Sequence, residues 1–175
     1  MTRSKASIVS DVNRMASVVR KTDHPVRGLH IGPTVVGGAA LVTGQVSISD
    51  FRSADKVISR DGSAKPTPRW IDFMMTMPAQ PASAKGAPVV VYGHGLSTTK
   101  ETMLIVAGQN AAKGYATIAI DMPNHGTRTL DGGYLFDITN AGSLGRLESM
   151  PLQGELDQIS LLSAIQRHLK SMDLM

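Results

Sequence analysis

Two short apolar runs in this sequence, Val89 to Val91 and Ala116 to Ile120, are separated by one amphipathic helical segment. Continuous apolar runs of this length are typical of strands that a sheet buries on both faces. Two parallel strands joined by a single helix need a crossover, and such crossovers are right-handed. The sequence therefore predicts an α/β fold built on a β-α-β unit, with a ligand site where the two strands end.

Other segments predict elements that extend this unit. Alternation of apolar and polar residues over 45–49 and 70–77 predicts two half-buried strands, the second antiparallel to a neighbour. Apolar residues at helical spacing predict a helix over 8–19 that ends before Pro25. Residues 132–138 fit a short hairpin or strand.

Capping residues suggest the limits of two later helices. Thr98 and Glu101 fit a capping box that opens the crossover helix, and Gly114 fits its end. Pro151 suits the first turn of a last helix. Its predicted apolar stripe is Leu152, Leu156, Ile159, Leu162 and Leu169.

Composition excludes several classes of protein. The absence of cysteine excludes disulfides, thiolate metal sites and a cysteine nucleophile. The net charge of +4 comes from basic and acidic residues spread along the chain, with no basic run interleaved with aromatics, so nucleic-acid binding is not expected. No apolar run approaches the ~20 residues that span a bilayer. Residues 1–12 contain no apolar segment of the signal-peptide kind.

Four segments resemble the α/β-hydrolase superfamily, and within it the bacterial extracellular lipase and virulence-factor lipase group, whose members are often exported. They are VVVYGHGLSTTKE, AAKGY, ATIAIDMPNHG and MPLQGELDQISLLSAIQRHL. The resemblance implies the N-terminal portion of that fold over 69–175, a mixed sheet with a β-α-β crossover. Residues 1–68, a helix followed by a Gly-rich and strand segment, match no family and stay unassigned.

The resemblance also implies an activity and a first site segment. It implies hydrolysis of a lipid-like or short acyl ester by a serine, with neither a metal nor an organic cofactor. In this superfamily the His-Gly turn after the strand forms half of the oxyanion hole. The implied donor is the backbone N–H of Leu96, next to His94 and Gly95, while Gly93 and Ser97 complete a loop that substrate can approach closely.

A second site segment follows the next strand. The run from Asp121 through His125 to Gly126 resembles the loop after the fourth strand of the superfamily. We expect this run to shape the substrate site and to hold the neighbouring turn, without reacting itself.

The nucleophile of the superfamily lies in a G-x-S-x-G elbow, and no such motif occurs in the 175 residues. The family order puts the elbow after the helix at 152–170, so we expect a chain truncated before it, with no triad. Ser143 lies in an A-x-S-x-G variant, but no helical pattern begins at Gly145, and we interpret Ser143 as a loop serine.

Three expectations follow from this interpretation. The chain supplies the oxyanion half of the site and is inactive alone. An unpaired sheet edge favours self-association. A hydrolase-derived chain without a nucleophile would alternatively serve as a non-catalytic binding module.

Two other kinds of site remain open on the residues alone. Gly93-x-Gly95-x-x-Thr98, with Asp121 at the end of the next strand, is close to a Rossmann dinucleotide fingerprint, although Thr98 replaces the third glycine. A metal site would combine His94, His125 and Asp121, but their spacing matches no ligand motif, so no metal is expected.

Overall fold

The computed structural model describes residues 4–59, 61–130 and 139–170. Its helices are α1 (Lys5–Lys21), α2 (Leu104–Ala112) and α3 (Leu144–Ala164). Its strands are β1 (Val26–Thr34), β2 (Ala40–Asp50), β3 (Thr67–Met77), β4 (Val89–Tyr92) and β5 (Ala116–Ile120). Short 3-10 turns precede α2 and α3, and a π-helical turn, Ile165–Leu169, follows α3.

The strands form one five-stranded mixed sheet in the order β1-β2-β3-β5-β4. The pairs β1–β2, β2–β3 and β3–β5 are antiparallel, whereas β5 and β4 are parallel and joined through α2. This confirms the predicted α/β class and the mixed sheet with a β-α-β crossover. The pairing of β2 with β3 joins residues on both sides of the 68/69 division, which stays a prediction.

Helices cover both faces of the sheet because the strands alternate their side chains. The larger core cluster lies on one face, where Phe73 and Ile118 pack with Leu161 of α3. On the opposite face, Asn110 of α2 donates a hydrogen bond to Thr117 of β5 at 3.0 Å. A smaller core joins α1 to α3 and includes Met15. No helix among the described residues is long and apolar enough to cross a membrane.

The predicted burial of the first apolar run was wrong. Strand β4 lies at the edge of the sheet, and Val89 remains 36% exposed. Strand β4 is therefore less buried than β5. An apolar run shows that a strand tolerates burial, but pairing decides which strand lies at the edge.

The predicted start of the last helix was also wrong. Helix α3 begins at Leu144, and Pro151 lies inside it rather than in its first turn. Leu156 and Leu169 of the predicted stripe are buried, whereas Leu162 is 46% exposed. The predicted element over 132–138 falls outside the described residues.

Candidate functional site

Three strands end at one edge of the sheet. Because β3 runs antiparallel to both β2 and β5, and β4 runs parallel to β5, strands β2, β4 and β5 point the same way. The loop that begins at Gly93 and the loop that begins at Asp121 therefore leave neighbouring strands side by side. This is the edge where sheets of this kind bind ligands.

The loop after β4 contains a tight turn over Gly95 to Thr98. The Thr98 N–H and the Thr98 hydroxyl both donate to the Gly95 carbonyl, at 3.3 and 2.8 Å. Ser97 has a φ of 64°, which is the left-handed conformation that the third position of a type II turn requires. For a residue other than glycine this conformation costs about 1–2 kcal/mol.

The Leu96 N–H takes no part in the hydrogen bonds that hold this turn. No described residue accepts a hydrogen bond from it, and the Leu96 side chain is 57% exposed. A Cβ built at Gly93 or at Gly95 meets nothing within 4 Å. Neither glycine is therefore required by packing within the described chain, and the backbone on this side of the turn is open to approach.

His94 holds the turn from its buried side and does not face solvent. Its side chain is buried; Nδ1 is 2.9 Å from the Gly95 carbonyl, and Nε2 is 2.9 Å from the Met122 N–H. Nε2 must accept from Met122, so Nδ1 carries the hydrogen and donates to Gly95, which defines a neutral ring. His94 thus ties the first loop to the second, and both of its nitrogens are occupied.

Asp121 is the centre of the contacts between the two loops. Its side chain is fully buried, and Oδ1 accepts from the Lys100 N–H at 2.8 Å. Oδ2 accepts from Lys100 Nζ at 2.8 Å and from the N–H and hydroxyl of Thr127, both at 3.0 Å. The carboxylate therefore binds the start of the crossover helix and the second loop at once.

The predicted capping box at Thr98 and Glu101 was wrong. The helical segment begins with a 3-10 turn at Lys100, and the Thr98 hydroxyl bonds back to Gly95 instead. Asp121, 21 residues further along the chain, supplies the carboxylate that accepts the Lys100 N–H. A carboxylate at this position also complements the positive end of the helix dipole.

Gly126 is a glycine because Asp121 leaves no room for a side chain. Its φ is 50°, and a Cβ built there lies 2.4 Å from the Asp121 carboxyl atoms. The glycine of this loop thus permits the backbone to close around the buried carboxylate.

The ionisation of Asp121 and Lys100 is coupled. Burial by itself raises the pKa of Asp121, but hydrogen bonds from Lys100 and Thr127 outweigh it and hold that pKa below 3.8. Burial also lowers the pKa of Lys100, yet its bonds to Asp121 and Glu101 raise it above 10.5 overall. Both groups are charged at neutral pH, as a buried ion pair.

A second buried network supports the loop from α3. Arg128 Nη1 donates to the Asp121 carbonyl at 2.8 Å and to Asp157 Oδ2 at 2.7 Å. Gln153 donates to Asp157 and accepts the Phe51 N–H beyond the end of β2. Burial raises the pKa of Asp157, and the Arg128 charge opposes that rise only in part.

The predicted site residues therefore separate into two groups. Asp121, His94 and His125 are buried together, with the two imidazole rings 5.3 Å apart, and they hold the loops. Leu96 and Ser97 are exposed at the surface of the turn. Their roles toward a substrate stay predictions.

Ser143 does not have the geometry of an elbow nucleophile. A helix does follow it, contrary to our expectation from the sequence, because α3 begins at Leu144. However, its φ is −98°, an unstrained value, and its buried hydroxyl accepts a hydrogen bond from Arg146 at 2.6 Å. An elbow serine instead lies on a sharp, strained turn with an exposed hydroxyl.

The geometry of the first loop argues against a dinucleotide site. A pyrophosphate would need the helix N-terminus that follows the glycines. Here the Asp121 carboxylate already accepts the Lys100 N–H, and a second anion would meet its charge. Asp121 is also too buried to reach a ribose.

A metal at His94 would have to break existing bonds. Both ring nitrogens of His94 are engaged with backbone groups, and Asp121 is saturated by Lys100 and Thr127. Within the described ranges, no group of three or more His, Cys, Asp or Glu side chains could hold a metal ion.

Sequence reasoning missed Lys100, Arg128, Gln153 and Asp157, the groups that neutralise or anchor the buried carboxylates. Lys100, Gln153 and Asp157 lie within segments quoted for the family resemblance, and Arg128 follows one of them, yet a single polar or charged side chain in the sequence does not reveal a buried partner. The folded chain buries the side chains of Lys100 and Arg128 against carboxylates that lie 21 and 29 residues away in the sequence.

Comparison with known proteins identifies a similar solved structure. No protein-family model matches the chain, and no curated protein sequence matches it. The X-ray structure of Candida antarctica lipase A in its closed state is similar, with 13% identity and a TM-score of 0.40. The match covers 82% of this chain and 39% of the lipase chain, so the chain spans well under half the length of that protein.

Proposed function

We propose that this chain is part of a serine-type carboxylic ester hydrolase of the lipase or esterase kind, and that it supplies half of the oxyanion-binding site. The observation that carries the proposal is the Gly95–Thr98 turn. It is closed by two hydrogen bonds to the Gly95 carbonyl and lies at the carboxyl edge of the sheet; its Leu96 N–H bonds to no described residue, and the supporting residues His94 and Asp121 are buried.

The physical reason is the charge that develops on a carbonyl oxygen during acyl transfer. A fixed backbone N–H aimed at that oxygen stabilises the transition state by roughly 3–4 kcal/mol. Fixing the donor requires a support that does not reorganise, and the buried bonds of His94 and Asp121 are such a support. The open space beside Gly95 leaves room for the acyl group.

In this proposal the serine, the acid and the catalytic histidine are supplied from outside residues 1–175. The serine would attack the ester carbonyl, the histidine would take its proton, and Leu96 would hold the resulting oxyanion. The ester class, lipid-like or short acyl, rests on the resemblance alone.

Two measurements test the proposal. Residues 1–175 alone should hydrolyse p-nitrophenyl butyrate no faster than buffer, and a burst of p-nitrophenol would contradict the assignment of the nucleophile elsewhere. In a 15N-labelled sample, butyrate should shift the Leu96 amide resonance saturably, because a carboxylate resembles the oxyanion. Lys113 lies exposed beyond the end of α2, and its amide, which donates to the Asn110 carbonyl, serves as the internal control.

A further inference from the structure

A pocket separate from the Gly95–Thr98 turn lies beside the end of β2. It has a volume of about 450 Å³ and lies between the residues that follow β2 and the start of β3. The charged residues lining it are Asp50, Arg52, Lys56, Lys65 and Arg69. Among the described lining residues there are thus four cations and a single carboxylate.

That carboxylate does not neutralise the whole cluster. Arg52 donates to both oxygens of Asp50, at 2.9 and 2.8 Å, and both side chains are buried. Arg69 reaches Asp50 at 3.5 Å, but 47% of its side chain remains exposed. Neither Lys56 nor Lys65 forms an ion pair within the described part of the chain. The pocket therefore carries surplus positive charge.

Lys56 is held in a costly conformation at this pocket. Its φ is 64°, and hydrogen bonds fix the turn, from the Lys56 N–H to the Ser53 carbonyl and from the Ser53 N–H to the Val57 carbonyl. Left-handed residues other than glycine cost about 1–2 kcal/mol, and such strain concentrates at ligand clamps. Burial together with the charges of Arg69 and Arg52 lowers the pKa of Lys56, as expected where like charges face each other.

We propose that this pocket binds a phosphate monoester through Lys56, Lys65 and Arg69. A phosphate group carries close to two negative charges at neutral pH and offers three terminal oxygens, so it can satisfy several cations at once. The volume exceeds what a phosphate alone fills and is in the range of small-molecule sites, about 300–1,000 Å³. The attached organic group is either a soluble alcohol or a lipid.

Binding of sn-glycerol 3-phosphate to residues 1–175, measured by calorimetry at constant ionic strength, tests the proposal. Sedimentation with phosphatidylcholine vesicles, with and without phosphatidic acid, tests the lipid source. Lys56→Asn removes the charge and keeps a residue that tolerates positive φ. Lys65→Gln and Arg69→Gln alter side chains that are exposed or half-exposed, and Lys113→Gln is the matched control outside the pocket.

We expect saturable binding that weakens at least about tenfold in Lys56→Asn and in Arg69→Gln, and that is unchanged in Lys113→Gln. Binding to glycerol phosphate alone assigns a soluble ligand, and sedimentation only with phosphatidic acid assigns a lipid headgroup. Binding to neither, or equal weakening in Lys113→Gln, would overturn the proposal. Should Lys56→Asn not fold, undiminished binding by both Lys65→Gln and Arg69→Gln would overturn it too. The outcome is independent of the ester-hydrolase proposal, because no residue is shared with the Gly95–Thr98 turn.

Discussion

Replacing Asp121 by Asn tests whether this carboxylate holds the two loops of the candidate site together. The substitution preserves shape but removes the charge that Lys100 Nζ contacts at 2.8 Å. The new amide NH2 would also face hydrogen-bond donors, because Asp121 accepts from Lys100 and Thr127 on both oxygens. The variant thus leaves a buried ammonium and at least one backbone N–H without a full partner.

The expected cost follows from the burial of the pair. Breaking a buried ion pair by removing one partner costs about 3–5 kcal/mol, because the other charge stays uncompensated. Lys100 Nζ keeps Glu101 at 3.0 Å, on a carboxylate that is 47% exposed. We therefore expect the lower end of the range, a loss of about 3 kcal/mol in the free energy of unfolding.

Urea denaturation of Asp121→Asn and wild type at pH 7 measures this loss. Asp55→Asn removes an exposed carboxylate and should change the free energy by less than about 0.5 kcal/mol. Because the pKa of folded Asp121 lies below 3.8, its stabilisation is complete above that pH and is lost as the pH falls through the folded value. The two unfolding curves should converge in acid. A loss below about 1 kcal/mol at pH 7 would refute the role assigned to this carboxylate.

Three further predictions concern the same edge of the sheet. Gly126→Ala should lose more than about 2 kcal/mol by denaturation, since its methyl would meet the neighbouring carboxylate, whereas Gly95→Ala should lose less than about 1 kcal/mol. Arg128→Met should cost about 3 kcal/mol, because it leaves Asp157 buried and unpaired, and a Tm unchanged from wild type would exclude this. Burial raises the pKa of Asp157, so its ionisation opposes folding as the pH rises through the folded value. Denaturation at a series of pH values should therefore show the free energy of unfolding of Asp157→Asn rising relative to that of wild type as the pH rises above 3.8. A difference between the two that stays constant with pH would contradict this.

Local patterns predicted the parts of this fold that depend on near neighbours in sequence. The helix ending before Pro25, the buried run Ala116 to Ile120 and the helix end near Gly114 follow from periodicity and turn chemistry, and the structure confirms them. The position of β4 at the sheet edge was not predictable in this way, since it depends on which strands pair.

The candidate site was even harder to predict from local sequence patterns than the order of the strands. Asp121 accepts a backbone N–H at the start of a helical segment that begins 21 residues earlier. In the sequence, Thr98 and Glu101 offered a capping box much closer to that start. The start of α3 was missed because Pro151 is a strong first-turn signal, although here it lies within the helix. The Asp121 contact joins residues distant in sequence, and such contacts are a property of the packed chain.

The accessible donor at Leu96 is the central claim, and its amide resonance is the most direct measurement of it. With 15N-labelled chain, titration with butyrate should move the Leu96 amide proton downfield to saturation, as a new hydrogen bond to an anion requires. Gly95→Ala should weaken the response by placing a methyl group in the open space beside the turn. A Leu96 resonance that stays fixed, or that moves equally with chloride at the same ionic strength, would contradict the account.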